Sequence, residues 1–280
     1  MPGTLFLVAT PIGNLEDVTA RAVRILREVD LVAAEDTRRT GRLLQHLGIT
    51  KPLRSYYDAV ERERAPALVR ELLAGKRVAL VSDAGTPGIA DPGYRLVTAA
   101  IAAGVTVVPI PGPSAIAAFL PVSGLPTDRF VFEGFLPARG GERRRRLQAL
   151  AEERRTLVFY ESGRRLAAAL DDLATIFGPR PAAIGRELTK LHEEIVRDDL
   201  AALAARYAGT TVPGEIVLAV GGAPATASAV VVREDLEDEI RRRRAAGETV
   251  RDLSEAIAQA RGMNRRAVYR LALTLEREQR

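Results

Sequence analysis

Short apolar runs alternate with amphipathic segments over the first 120 residues of the chain. The runs are apolar on both sides, which predicts strands covered by helices on both faces of a sheet, and they occupy residues 4–9, 31–34, 78–81 and 105–110. Two of the amphipathic segments between them end at Gly48 and Gly75, the residue type that most often follows a helix C-terminus. This order predicts a mostly parallel sheet with helices on both faces.

The apolar runs of the second half of the chain are separated by shorter connections than those of the first half. The strands predicted there lie at residues 130–135, 156–160, 182–185, 193–198 and 212–220. This spacing predicts a second α/β domain with a mixed sheet.

A charged helical tail follows a linker of small residues at 224–228. One helix is predicted around residues 252–258 and another from Asn264, with Arg261-Gly262-Met263 between them, a pattern similar to a helix-turn-helix. An ordinary helical hairpin is the alternative. The predicted division is a parallel-sheet domain at 1–112, a mixed-sheet domain at 113–224 and an RNA-contacting tail at 225–280.

Loops rich in Gly, Pro, Ser and Asp follow several of the predicted strands. Open α/β sheets bind ligands at the carboxyl ends of their strands, where glycine lets the backbone approach a ligand closely. The longest such loop, Ser82 to Gly93, has two carboxylates and two Gly-Pro-type corners, so we favour a ligand site over a plain turn. The other loops are residues 10–17, 35–40 and 111–114.

Two features of these loops have competing structural explanations. Asp17 or Thr19 is expected to cap the helix that follows the first strand, and Asp36 or Thr37 could cap the next helix instead of binding a ligand. The motif GxGxxG is absent after the first strand, so a dinucleotide site is not supported.

The composition narrows the possible chemistry. The 280 residues include no Cys and only two His, His46 and His192, which argues against a disulfide framework and a metal centre. The apolar run near the N-terminus is short for a signal peptide, and no run approaches the length of a membrane span. We therefore expect a cytoplasmic protein without a metal or a membrane partner.

Most of the positive charge comes from clustered arginines. The net charge is +5, and the clusters lie at residues 143–146, 154–155, 164–165, 241–244 and 265–266. Guanidinium groups make two-pronged contacts with phosphate, so the clusters together favour a nucleic-acid partner. Any single cluster of this kind is more often a solvated helix face.

Eight motifs occur in an order that closely resembles the branch of the tetrapyrrole methylase superfamily that methylates 16S ribosomal RNA. They are TPIGNL (10–15), AEDTR (34–38), SDAGTP (82–87), DPGY (91–94), PGPS (111–114), EGFLP (133–137), FYES (159–162) and RELTK (186–190). The resemblance covers the whole chain, the tail included, and eight motifs in register are far more specific than any one of them.

The resemblance implies two α/β domains with S-adenosylmethionine in the cleft between them. It also implies a homodimer that methylates the 2′-oxygen of a cytidine ribose in the decoding region of the 30S subunit. By position, the cofactor would lie against Pro11, Ile12, Ser82, Asp83, Ala84, Gly85, Thr86, Ile89, Ser114, Ala115, Tyr160, Ala219 and Gly221.

A catalytic role is predicted for Lys190 or Glu187. The chain has only three lysines, and burial can lower the pKa of a lysine but not that of an arginine, so Lys190 is a candidate general base. A salt bridge within the second domain explains it equally well. Asp83 and Asp36 are rival candidates that would more naturally orient a ligand.

Arg38 and Arg39 are predicted, with Asp36, to contact the RNA substrate through its phosphates. Two other functions compete with rRNA methylation. A tetrapyrrole methylase of the same superfamily would have no use for the arginine clusters or the tail, and a non-catalytic RNA-binding factor would leave the strand-end loops without a purpose.

Overall fold

The computed structural model describes residues 1–224, 227–261 and 265–278. The chain forms two compact units, residues 1–223 and residues 224–280. The first unit contains two α/β domains, each built on a sheet of five strands. No helix in the described ranges is long and apolar enough to cross a bilayer.

The first sheet is parallel throughout, as predicted. Its strands are β1 (Thr4–Val8), β2 (Leu31–Ala34), β3 (Leu53–Ser55), β4 (Val78–Val81) and β5 (Thr106–Ile110). Their order in the sheet is β3-β2-β4-β1-β5. The helices are α1 (Ala20–Glu28), α2 (Thr37–His46), α3 (Asp58–Leu73) and α4 (Tyr94–Ala102).

Alternate residues of these strands enter two different cores. Leu5 and Leu80 pack with α3 and α4 on one face, whereas Phe6 and Ala79 pack with α1 and α2 on the other. Burying one leucine side chain contributes about 1.5–3 kcal/mol to the stability of the fold. Because side chains on both faces stabilise the sheet in this way, the loops at the strand ends are free for other roles.

The second sheet is mixed, also as predicted. Its strands are β6 (Phe130–Phe135), β7 (Thr156–Ser162), β8 (Pro181–Arg186), β9 (Glu194–Asp199) and β10 (Glu215–Val220), in the order β6-β7-β10-β8-β9. Only β6 and β7 are parallel to each other, and the other neighbours are antiparallel. The strands predicted at 193–198 and 212–220 join one sheet, but β8 separates them.

Helices cover both faces of the second sheet. They are α5 (Ala115–Ser123), α6 (Gly140–Ala149), α7 (Leu166–Phe177) and α8 (Leu200–Tyr207). Phe159 and Leu218 face α7 and α8, whereas Val158 and Ala219 face α5. Because Ile12 of the first domain packs into the α5 cluster, the two domains share this core.

The predicted start of one strand of the second sheet was wrong by three residues. Strand β10 begins at Glu215 and not at residue 212, because Gly214 has a φ of 97° and interrupts the extended backbone. Helix α5 ends in a similar way at Ser123, where Gly124 adopts a φ of 78°.

The second unit contains α9 (Ala227–Ala245), α10 (Val250–Arg261) and α11 (Arg265–Glu278) in its described part. Their buried faces form one cluster, made of Leu236, Ile240, Leu253, Ile257, Ala258, Val268, Ala272 and Leu275. The predicted linker residues 225–226 and the predicted turn residues 262–264 lie outside the described residues.

Candidate functional site

Three strand-end loops of the first sheet are tied together by backbone contacts. Thr10 and Gly85 exchange N–H···O bonds of 2.8 and 3.0 Å, and the Thr86 hydroxyl donates to the Pro113 carbonyl at 3.1 Å. Gly85 has a φ of 86°, and a Cβ there would lie 3.4 Å from the Ile12 side chain. A glycine is therefore required where the loops after β1, β4 and β5 meet.

Carboxylates cluster where β2 and β4 end side by side. Asp83 Oδ1 accepts the backbone N–H of Asp36 at 2.9 Å, while the N–H of Asp83 donates to Glu35 Oε2 at 3.1 Å. Burial raises the pKa of Glu35. Burial, followed by the charge of Glu35, raises the pKa of Asp91 to about 7. This edge of the sheet is therefore an acidic pocket that suits a cationic group.

Glu35 and Asp91 were not among the predicted site residues. Both stood in the motifs quoted above, but their proximity depends on the pairing of β2 with β4. The available signal was that Glu35 directly follows one buried strand and that Asp91 lies in the loop after another. Parallel neighbours end at the same edge, so that position was enough to place the two carboxylates near each other.

The predicted RNA-contacting residues lie at the start of α2. Asp36 caps the helix by accepting the N–H of Arg38 at 2.8 Å, which confirms the capping interpretation. The Arg38 side chain pairs with Asp36 at 2.8 Å, and this hydrogen bond lowers the pKa of Asp36. Arg39 lies 3.4 Å from Asp83. Both arginines are mostly exposed, so their outer faces remain accessible to phosphate.

An apolar groove of about 750 Å³ adjoins these loops. Its lining includes Ile89, Ser114, Ile116, Leu120, Phe130 and Phe132. A groove of this volume is in the usual range for small-molecule sites.

Tyr160 lies beside this groove, held by polar and aromatic contacts. It hydrogen-bonds with Ser114, and its ring meets the rings of Phe132 and Phe135 edge-on, with centroids 4.8 and 5.6 Å apart. Burial, with the charge of Asp91, raises the pKa of Tyr160 to about 12, so the hydroxyl is neutral at physiological pH.

The loop after β1 reaches the second domain through Gly13. A Cβ on Gly13 would lie 2.4 Å from Lys190 Cγ and 2.9 Å from the Leu188 carbonyl, a distance that real contacts do not reach. The Asn14 N–H donates to the Thr189 hydroxyl at 3.1 Å. The loop after β8 therefore packs directly on the predicted cofactor loop.

Strained backbone is concentrated in these loops. Among the described residues other than glycine, Ala90, Glu187 and Thr189 have positive φ, at 59°, 50° and 66°. Each such residue costs on the order of 1 kcal/mol and persists only where its surroundings enforce it. Glu187 is itself a predicted catalytic residue, and Ala90 and Thr189 are next to the predicted residues Ile89 and Lys190, which supports a functional role for these loops.

The two predicted catalytic residues form an ion pair. Lys190 Nζ lies 2.9 Å from Glu187 Oε1 and 3.0 Å from Glu215 Oε2. Burial alone would lower the pKa of Lys190, but these two carboxylates outweigh it and the pKa is raised. The hydrogen bond from Lys190 lowers the pKa of Glu187. The expectation that burial lowers the pKa of Lys190 was therefore wrong, and the salt-bridge alternative describes its contacts.

The remaining predicted cofactor residues divide into two groups. Pro11, Ala84 and Ala115 lie in or beside the tied loops, half-buried. Ala219 is buried on the sheet face that packs on α5. Gly221 is not brought to the same place as Tyr160, because its neighbour Val220 pairs with Leu157 at the start of β7, whereas Tyr160 is near the end of that strand.

Comparison with known proteins gives one family over most of the chain. Residues 4–204 match the family described as Tetrapyrrole (Corrin/Porphyrin) Methylases. A protein of Synechocystis named ribosomal RNA small subunit methyltransferase I is 49% identical over 98% of this chain and 99% of its own length. The protein of the same name from Mycobacterium tuberculosis is 48% identical over 99% of this chain and 96% of its own length.

Solved structures with the same fold are more distant in sequence. The methyltransferase CobJ superposes with a TM-score of 0.60 at 22% identity, over 79% of this chain and 95% of its own. The uroporphyrin-III C-methyltransferase of Thermus thermophilus, crystallised with S-adenyl homocysteine, gives a TM-score of 0.55 at 22% identity, over 78% of this chain and 97% of its own.

Proposed function

The chain belongs to the tetrapyrrole methylase family, and from that premise we propose that it is a 16S ribosomal RNA methyltransferase. It transfers a methyl group from S-adenosylmethionine to the 2′-oxygen of a cytidine ribose in the decoding region of the small subunit. The observation that carries this proposal is the near-full-length similarity to relatives named ribosomal RNA small subunit methyltransferase I.

The residues at the edge of the first sheet fit S-adenosylmethionine. When bound, this cofactor supplies an electrophilic methyl group on a positively charged sulfur. Glu35, Asp83 and Asp91 offer carboxylates to its cationic groups. Gly85 allows close backbone approach, and the groove beside Ile89 and the other predicted cofactor residues offers apolar surface.

Catalysis by this chain rests mainly on positioning. Holding two reacting groups in line can contribute about 7–11 kcal/mol, more than one general base adds. Lys190 carries its proton, so we assign it the task of orienting the ribose hydroxyl, with the ionised Glu187 as the basic member of the pair. Lys190 lies beside Gly13, next to the predicted cofactor residues Pro11 and Ile12.

The proposal extends to the partners and organisation of the chain. Asp36, Arg38 and Arg39 would form an outer contact with substrate RNA, and residues 1–112, 113–224 and 225–280 would act as separate functional domains. A cytoplasmic homodimer is the proposed state. Exposed apolar side chains such as Tyr94 and Leu191, at 77% and 93% exposure, are compatible with a second copy. Light scattering of the purified chain tests this.

The test of function is transfer of labelled methyl from S-adenosylmethionine to three acceptors. These are 30S subunits, free 16S rRNA and a tetrapyrrole mixture, with the methylated atom mapped in any RNA product. Label at one ribose 2′-oxygen in the decoding region is expected. Label on the tetrapyrroles alone would overturn the assignment and leave the fold and the cofactor in place.

A further inference from the structure

Two of the four arginines in the run 241–244 on α9 are paired with acidic neighbours. Arg241 lies 3.0 Å from Asp238, and Arg243 lies 3.3 Å from Glu239 and 3.5 Å from Glu248. Paired guanidiniums of this kind have little charge left for a polyanion. Arg241 and Arg243 are therefore poor candidates for the RNA-binding surface of the second unit.

The exposed face of α11 differs from the α9 run in both shape and chemistry. Arg265, Arg266, Tyr269 and Arg270 line a concave surface of about 630 Å³. All four are exposed, whereas Val268 on the other side of the helix is fully buried in the helical core. An aromatic ring thus stands among three guanidiniums on one helix face, which we call the α11 face.

The positive charge of the α11 face is only partly compensated. Arg265 lies 3.4 Å from Glu255, in a pair whose side chains are 48% and 63% exposed. Ion pairs this exposed to solvent are weak, so phosphate can compete for the guanidinium. Arg270 has no acidic partner among the residues that the structure describes.

We propose that the α11 face binds an unpaired stretch of RNA, with one base stacked on Tyr269 and the flanking phosphates held by Arg265 and Arg270. The choice of RNA as ligand rests on the proposed function. Aromatic rings between basic side chains are how proteins hold single strands without reading their sequence, because every base has a stacking face. A duplex keeps its base faces stacked inside and cannot offer one to Tyr269.

The same argument separates this mode from that of a DNA-binding helix-turn-helix. In that mode a recognition helix enters the major groove, but the major groove of an RNA helix is deep and narrow and excludes side chains. Helix α11 is thus suited to an unpaired segment of RNA and not to a stem.

The experiment measures binding of a fluorescent 12-nucleotide unpaired RNA, and of the same sequence as a duplex, to the full chain without cofactor. Tyr269→Ala is expected to weaken binding of the single strand roughly 5- to 100-fold, and Tyr269→Phe less than 3-fold. Arg270→Ala should weaken binding several-fold and reduce the salt slope by about 0.7, the share of one phosphate contact.

Arg242→Ala is the matched control, because Arg242 is an exposed arginine of the same unit that has no acidic partner among the described residues and lies off the α11 face. It should change affinity less than 2-fold. The proposal is overturned if Arg242→Ala weakens binding as much as Arg270→Ala, if Tyr269→Ala binds like the unchanged chain, or if the duplex binds more tightly than the single strand.

Methyl transfer to 30S subunits, measured in parallel, separates this inference from the proposed function. Binding that depends on Tyr269 without any transfer to rRNA would sink the enzymatic proposal and keep the α11 face. Full methyl transfer by a Tyr269→Ala chain whose RNA affinity is unchanged would keep the enzymatic proposal and overturn the proposal for the α11 face.

Discussion

The carboxylates of the two α/β domains are held in opposite ways. In the second domain the carboxylates of Glu133 and Asp172, whose side chains are 8% exposed, lie 2.5 and 2.6 Å from an arginine. At the strand ends of the first domain, Glu35 and Asp91 have no basic partner within the described residues, and burial raises the pKa of both. Carboxylates paired with arginine stabilise the fold, whereas carboxylates without such a partner are available to bind a ligand.

The largest expected effect comes from breaking a pair in the second domain. Arg143 lies 2.6 Å from Asp172, and both side chains are 8% exposed. Asp172→Ala leaves a buried guanidinium without its partner, which should cost about 3–5 kcal/mol of unfolding free energy. Urea denaturation measures it. Asp171→Ala, at the exposed neighbouring position, should stay within about 0.5 kcal/mol, and a similar loss in both variants would contradict the contrast.

The second effect tests whether Lys190 orients the substrate or accepts a proton. Lys190→Met removes the charge between Glu187 and Glu215, and the methyl-transfer rate should fall about 10²-fold, as for the loss of one preorganised donor. Lys190→Arg keeps a cation there and should retain at least a tenth of the rate. Single-turnover methylation of 30S subunits measures both. A completely inactive arginine variant with normal cofactor affinity would restore the general-base hypothesis.

The third effect is on cofactor affinity. At pH 8, where Asp91 is mostly ionised because its pKa is about 7, Asp91→Asn removes a negative charge from the strand-end cluster. The Kd for S-adenosylmethionine should then rise several-fold, because the cluster complements the cationic groups of the cofactor. Calorimetry measures the change. Glu16→Gln is the control, since it removes an exposed carboxylate from a loop at the same edge of the sheet. An equal loss of cofactor affinity in both variants would show that the effect comes from the overall charge of the chain and not from the strand-end cluster.

The smallest effect is on the pH dependence of stability. The pKa of Asp91 is about 7 in the folded chain against 3.8 as its ordinary value, so the folded state binds more protons between these pH values. The contribution of Asp91 to stability therefore falls as pH rises from about 4 to about 7. Asp91→Asn should raise the Tm by a few degrees at pH 8 and by less at pH 5. An equal shift at both would show that Asp91 titrates normally.

The sheets were predictable from the sequence because burial leaves a direct pattern. Strands such as β4 are covered on both faces, so every residue of Val78–Val81 is apolar and buried. The glycine-rich loops behind them were predictable for a similar local reason, since close approach and positive φ favour glycine.

The charges were harder to predict because they depend on distant partners. One of the two carboxylates that raise the pKa of Lys190 belongs to Glu215, 25 residues further along the chain. The run at 143–146 reads as a phosphate-binding patch, but Arg143 is buried against Asp172, 29 residues away. A single sequence gives no direct signal for such pairs. For the same reason, the displacement of Gly221 from Tyr160 became visible only with the register of β10 on β7.

The close packing at Gly13 limits how this protein can be recombined with its relatives. The loop of residues 10–17 packs so closely against the loop of residues 186–190 that no space is left for a β-carbon on Gly13. A chimera that takes its first domain from one relative and its second from another must inherit both loops from the same parent. We expect chimeras that split this pair of loops to be inactive even where each domain folds. The two loops should therefore be exchanged together when the protein is engineered to methylate new acceptors.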